Sequence, residues 1–301
     1  MPYSSVCSDP VVLDGKVYIR SDSVLEYTPC TNTWVELPNP SLECFGMTKL
    51  KRTLILVGGQ LRGSDTVTNM ISVWDSKSEQ WTNPYPPMPT PRKDAGCAGY
   101  KYYLIVAGGI PDKMLSTSVV EILDTVTNQW YKAPPLPYNA SCISSVTIGR
   151  YLYLLLCYRG MLTSSKTIIR ASLPSIISLS IVGKTQDSSV WEKLPDVPLY
   201  FTSMFSIGNA LLTAGGTRGG TASSALESFR LKSSRPSRDI YILNPFTNEW
   251  VTVDELPEAR YACACIVLSS GELFVVGGEI GTRDGCLLST AYKGTIVKSH
   301  F

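Results

Sequence analysis

Five tryptophans recur in one context along this chain, and their spacing limits the fold more than any other feature. Trp34, Trp81, Trp130, Trp191 and Trp250 stand 47, 49, 61 and 59 residues apart. A period of this length points to stacked copies of one supersecondary unit, none of which can bury its apolar face alone. Downstream of the tryptophans come Leu37-Pro38, Met88-Pro89, Leu136-Pro137, Leu194-Pro195 and Leu256-Pro257. Polar turns precede four of them: Thr31-Asn32-Thr33, Ser78-Glu79-Gln80, Thr127-Asn128-Gln129 and Thr247-Asn248-Glu249.

A second mark recurs out of phase with the first. Gly58-Gly59, Gly108-Gly109, Gly215-Gly216 and Gly277-Gly278 each end an apolar run such as Leu54-Ile55-Leu56-Val57 or Leu104-Ile105-Val106-Ala107. From a tryptophan to the next glycine pair is 24 to 27 residues. Length varies mainly between the glycine pair and the following tryptophan, as loop insertions into a fixed scaffold do. The 20 prolines and 23 glycines punctuate short apolar runs throughout, which favours strands and turns over long helices.

An apolar strand ending in Gly-Gly, a third strand, a polar turn and then Trp make a unit that resembles the kelch repeat, which is about 50 residues long. Residues 96–130 show it most fully, with Val119-Val120-Glu121-Ile122-Leu123-Asp124 before Thr127-Asn128-Gln129-Trp130. The resemblance covers nearly the whole chain and implies an all-β fold, a six-bladed β-propeller of four-stranded antiparallel blades. Six units are expected at about 1–38, 39–89, 90–137, 138–195, 196–257 and 258–301, forming one propeller domain over 1–301. Asp14-Gly15 between apolar runs marks the first hairpin. Ser21-Asp22 and Tyr158-Arg159 stand where the first and fourth units should carry glycines, and the sixth unit has no tryptophan. Its fourth strand is expected from Thr295-Ile296-Val297-Lys298 or from the residues before Cys7, because an open edge strand invites aggregation. The abrupt start within the first unit is expected of a piece of a longer protein. A WD-repeat propeller is the rival; Val73-Trp74-Asp75 fits its ending, but the only histidine is His300, so its Gly-His pair is missing.

The glycine pairs are read as places of close backbone approach, the tryptophans as filling between sheets, and Asp75, Asp124 and Asn244 as turn formers. Nine cysteines lie mostly singly in apolar runs, among them Cys97, Cys142 and Cys157. They read as reduced, buried side chains of a cytoplasmic protein. Cys263 and Cys265 share one strand face.

Catalytic chemistry is sparse. One histidine near the end of the sequence makes a poor general base, and copper oxidases on kelch-like propellers use more than one histidine ligand. Nothing in the sequence calls for a metal or another cofactor. Gly215-Gly216-Thr217-Arg218-Gly219-Gly220 lacks the Lys-Ser/Thr ending of a phosphate loop. A carboxylate-based sugar or small-metabolite enzyme, using Asp94, Glu279 and Arg260, is the alternative to a binding protein. The formal charge of +2, from 27 basic and 25 acidic residues, gives no sign of a nucleic-acid binder. Met1-Pro2-Tyr3-Ser4 lacks the start of a signal peptide, and residues 168–182 are too short and polar to span a membrane. The sequon Asn139-Ala140-Ser141 is of a kind that often occurs by chance.

In such a propeller the loops from strand two to three, and from strand four to the next unit, open on one face. The resemblance implies that this face holds partner peptides. Insertions are expected there at 160–175, with Lys166 and Arg170, and at 217–238, with Arg218, Arg230, Lys232, Arg235 and Arg238 against the single acid Glu227. Two readings stand: a basic lip for an acidic or phosphorylated peptide, or solvated decoration. Arg62, Tyr158, Arg159, Tyr200 and Arg260 are further candidate contacts, with Phe201 and Tyr261 beside them as anchors or as buried strand-start aromatics. Similar propellers joined to a BTB domain select substrates for ubiquitin ligases, and others bind actin or act as scaffolds. No BTB domain is visible in these 301 residues.

Overall fold

The computed structural model describes residues 9–21, 23–111, 115–157, 167–218, 235–280 and 286–295. Six antiparallel sheets follow one another along the chain as the blades of a six-bladed β-propeller, most of them four-stranded. Blade one is Val11–Leu13, Lys16–Arg20, Val24–Thr28 and Thr33–Glu36, each strand paired with the next. Blade two runs Gly46–Leu50, Thr53–Val57, Ile71–Asp75 and Gln80–Thr82. Blade three is Gly96–Tyr100, Tyr103–Ala107, Val120–Asp124 and Gln129–Ala133. Blade four is Ser141–Ile148, Tyr151–Cys157, Thr167–Ser172 and Glu192–Lys193. Blade five holds Ser203–Ile207, Ala210–Ala214 and the long strands Arg235–Asn244 and Glu249–Arg260. Blade six has Ala264–Val267, Leu273–Val276 and Ala291–Gly294. The residues expected to close it, 296–298 and those before Cys7, lie outside the described residues.

The chain packs as two compact bodies. Body one, Met1–Val35, Gly160–Ile168 and Leu194–Phe301, contains blades one, five and six. Body two, Glu36–Arg159 and Ile169–Lys193, contains blades two, three and four. In each, the second strands are buried along their length, as Leu54 to Val57 and Leu273 to Val276 are. A strand covered on both sides reads as a continuous apolar run, which explains the sequence pattern.

The repeated residues join blade to blade. Trp81 Nε1 donates to Pro38 O (2.7 Å), Trp130 to Pro86 O (3.0 Å) and Trp191 to Pro134 O (3.3 Å), all in body two. In body one Trp250 donates to Pro195 O (3.1 Å). Leu37, Met88, Leu136, Leu194 and Leu256, the residues before the recurring prolines, are all buried. Removing such a side chain from water stabilises by roughly 1.5–3 kcal/mol. Trp34 differs: its ring lies 4.7 Å from Tyr27 and 6.3 Å from Phe274 of blade six. The glycine pairs are enforced by backbone on two sides. A Cβ on Gly58 would sit 2.3 Å from Arg92 O of the next blade, and one on Gly59 2.7 Å from Glu43 O. Asp75, Asp124 and Asn244 each accept from a backbone N–H two residues on, fixing the turn between strands three and four.

Three expectations need correction. The insertion expected at 160–175 is not all loop: Thr167–Ser172 is the third strand of blade four, and the helix Leu173–Ile181 follows it. The helix therefore lies between strands three and four. Pro174 suits its first turn, and Leu173, Ile176, Ile177 and Ser180 form one buried stripe packed on Gln129–Ala133. Cys142 is exposed, not a buried hydrophobe, whereas Cys97, Cys263 and Cys265 are buried. The side chain of Cys157 lies outside the described residues. Cys263 and Cys265 do share a face, with sulfurs 3.6 Å apart. Arg260, expected at the surface, is fully buried.

Candidate recognition surface

The site is built from the place where blade five leaves its glycine pair. Past Gly215 and Gly216, Thr217–Arg218 continues as a short strand against the start of Arg235–Asn244. The register puts Thr217 opposite Pro236 and Arg218 opposite Arg235. Directly opposed residues of an antiparallel ladder point to the same face, and like charges there repel. Two guanidinium groups thus emerge side by side from a backbone that offers no relief of its own.

The relief comes from Asp239. Arg218, with a side chain 67% exposed, forms an ion pair with it. Asp239 also accepts from Ser237 Oγ (2.7 Å) and Tyr241 Oη (3.1 Å). Burial would raise the Asp239 carboxyl, but the bonds from Arg218, Ser237 and Tyr241 outweigh it and hold it below its ordinary value. Burial, and then the bond to Asp239, push the Tyr241 phenol up. Arg235 is exposed and has no side-chain partner among the described residues. Arg238 donates from Nε to Leu256 O (2.6 Å) and has Glu255 at 3.5 Å. Thr217 is fully buried next to Arg218, and its hydroxyl has no partner among the described residues.

Beside the ladder the entry segments of blades five and six are stitched together. Tyr200 and Thr217 exchange backbone bonds of 3.1 and 2.8 Å, and Tyr261 and Glu279 do the same at 3.1 and 2.9 Å. Ala262 N donates to Phe201 O (2.9 Å), and the Phe201 and Tyr261 rings are 6.3 Å apart. Phe201 is 39% exposed, while Tyr200 and Tyr261 are half-buried. Tyr261 Oη donates to the Glu279 carboxylate; burial and this bond push its phenol well above the usual range.

Arg260 does not join this surface. It is fully buried, donating from Nη1 to Gly277 O (2.8 Å) and from Nη2 to Glu258 (2.8 Å) and Thr290 Oγ1 (3.1 Å). Its guanidinium lies 4.8 Å from the centre of the Tyr292 ring. The sequence put a charge next to a loop, but the fold needs that charge inside, on the first glycine carbonyl of blade six. Asp94 is likewise buried in body two, where its backbone bonds Cys44 O and Cys142 N. Arg62, also in body two, is exposed, with Nε 3.9 Å from Glu43 Oε1. Tyr158, Arg159, Lys166, Arg230 and Lys232 lie outside the described residues. Sequence reasoning missed Asp239 with Ser237 and Tyr241; their period-two spacing on one strand was the available signal. Among the described residues, no three His, Cys, Asp or Glu side chains converge as metal ligands would. No helix there is long and apolar enough to cross a membrane.

Comparison with known proteins agrees with this architecture. The Kelch motif family matches residues 91–137. Kelch-like protein 25 of Xenopus tropicalis is 25% identical over 263 residues, covering 82% of this chain and 38% of that protein. Kelch-like protein terF of Aspergillus terreus is 28% identical over 122 residues, covering 38% of this chain and 27% of that protein. The chain thus spans well under half the length of these curated relatives. A solved structure titled "Structure of YjhT" superposes with a TM-score of 0.76 at 14% identity, covering 99% of this chain and 97% of that one, a likeness of fold. In its tryptophans, glycine pairs and six-bladed fold, the chain is similar to kelch-repeat β-propellers, and residues 91–137 match the Kelch motif itself.

Proposed function

We propose that this propeller is a non-enzymatic recognition domain, and that body one grips an acidic or phosphorylated segment of a partner protein. The observation that carries the reading is the opposition of Arg218 and Arg235, with one carboxylate, Asp239, between the pair and neutrality. A carboxylate or phosphate reaching this ladder meets one unpaired guanidinium and a second held by an exposed ion pair. Exposed pairs of this kind are weak and exchange readily. Arginine presents a planar fork that takes two oxygens at once. Phe201 and Tyr261 supply apolar contact beside the charge. A cytoplasmic location belongs to the same proposal, as does substrate selection for a ubiquitin ligase within a longer chain. Actin binding and scaffolding are the alternatives within this class.

Affinity capture with mass spectrometry tests it, comparing the wild type with a variant carrying Arg218→Glu, Arg235→Glu and Arg238→Glu. The expected result is a set of partners with acidic or phosphorylated segments that the variant loses. Identical partner lists would overturn the basic-lip reading.

A further inference from the structure

Body two carries a second cationic surface, on the turns joining first and second strands. In blade two the turn is Lys51-Arg52, between the paired Leu50 and Thr53. In blade three it is Lys101-Tyr102, and in blade four Gly149-Arg150. All six turn residues are exposed. No carboxylate pairs with Lys51, Lys101 or Arg150 among the described residues. The turns of blades two and three touch, since Lys51 Nζ lies 4.1 Å from the centre of the Tyr102 ring. Blades three and four are joined by Ser145 Oγ donating to Cys97 O (2.8 Å). Body one has no such run: its corresponding turns are Asp14-Gly15 and Gly208-Asn209, and in blade six Ser269 and Ser270 precede Glu272.

The backbone adds a separate observation. The first turn residue is left-handed in each two-residue turn: Asp14, Gly149 and Gly208 have φ of 50°, 59° and 57°. Glycine and aspartate tolerate that region. Lys51 and Lys101 occupy it at 56° and 55°, although a lysine there is strained and has no local hydrogen bond to offer in return. Strain kept at exposed positions, where glycine or asparagine would relieve it, points to a use for the side chain.

We propose that this turn surface docks an acidic segment of a protein, rich in Asp and Glu. The rings decide against nucleic acid as the occupant. Lys51 lies over Tyr102, Lys101 over Tyr100 (5.5 Å), and both Arg150 and Arg170 over Tyr151 (5.5 and 5.4 Å). Bases bind single-strand sites by stacking on free aromatic faces, and here each ring already has a cation against it. A membrane would want apolar wedges, and Tyr102 is the only large apolar side chain exposed in these three turns. What remains is a row of outward-facing charges on aromatic seats, suited to carboxylates.

The test uses the full chain with Lys51→Asn, Lys101→Asn and Arg150→Gln together, and a fluorescently labelled deca-glutamate peptide as probe. Asparagine suits the left-handed turn, so the variant should melt no lower than the wild type. Anisotropy titration should show salt-sensitive binding to the wild type and affinity reduced about tenfold or more in the variant. Equal affinity overturns the proposal. So does loss confined to an Arg218→Glu/Arg235→Glu variant, which would assign the peptide to body one and leave the function proposed above standing. Selective loss of a homothymidine oligonucleotide, or of phosphatidylserine vesicles, would reassign the surface and overturn the proposal as well.

Discussion

Arg92 in body two and Arg260 in body one hold the same place in their repeats, both fully buried, yet their charges are met differently. Each donates from Nη1 to the first carbonyl of the glycine pair that follows it in the sequence, Gly108 O at 3.1 Å and Gly277 O at 2.8 Å. Arg92 pairs with Glu121, whose side chain is 7% exposed and also accepts from Thr90 Oγ1 (2.8 Å). Arg260 pairs with Glu258, 39% exposed, which also accepts from Tyr292 Oη (3.1 Å). Burial pulls the Arg92 guanidinium down and Glu121 offsets it. The comparison teaches that the repeat wants a donor at this position, and that each body solves the charge problem with what its sequence supplies.

The largest expected effect breaks that pairing. Glu121→Ala leaves Arg92 charged in a dry site and should destabilise by about 3–5 kcal/mol. Glu258→Ala removes a partner that water can replace and should cost about 1 kcal/mol or less. Urea midpoints of the two variants measure the difference. Equal losses would mean that water reaches both guanidinium groups or neither, and that the contrast between bodies is false.

A middle-sized effect concerns the tryptophans. Trp130→Phe in body two deletes the bond to Pro86 O, whereas Trp34→Phe in body one deletes no such bond and keeps an aromatic beside Tyr27 and Phe274. The first should cost about 1 kcal/mol more than the second. Thermal melting of the two variants decides it, and a larger loss at Trp34 would show that stacking outweighs the hydrogen bond.

These pairs also mark what the sequence made legible. Trp34 to Trp250 and the four glycine pairs were readable because backbone or ring contacts of the same kind recur in most copies. Repetition turns a local need into a pattern. The helix Leu173–Ile181 was not readable: it occurs once, and its Ser-Ile alternation resembles strand as much as helix. Arg260 read as surface because its sequence neighbours are polar, while its burial depends on Gly277 and Thr290, far along the chain. Arg218 and Arg235 were visible as charges. That they face one another, with Asp239 behind them, depends on a register that composition does not contain.

The smallest expected effect separates two carboxylates held low for different reasons. Asp239 in body one is held below the ordinary 3.8 by bonds from Arg218, Ser237 and Tyr241 that outweigh its burial. Asp75 in body two is held low first by Ser78 and then by the Lys77 amide. Both folded values are depressed, so each carboxylate contributes stability above pH 3.8 and loses it as pH falls through the lower folded value. Salt should tell them apart. In 1 M sodium chloride the Debye length is about 3 Å, so the exposed Arg218 charge is screened while neutral hydrogen bonds are not. NMR titration should therefore show the Asp239 midpoint rising toward 3.8 with salt and the Asp75 midpoint nearly fixed. If both rise together, Asp75 is held by the charge on Lys77 rather than by its turn. If neither rises, Arg218 is held more tightly than its exposure implies, and it is not free to exchange Asp239 for a ligand.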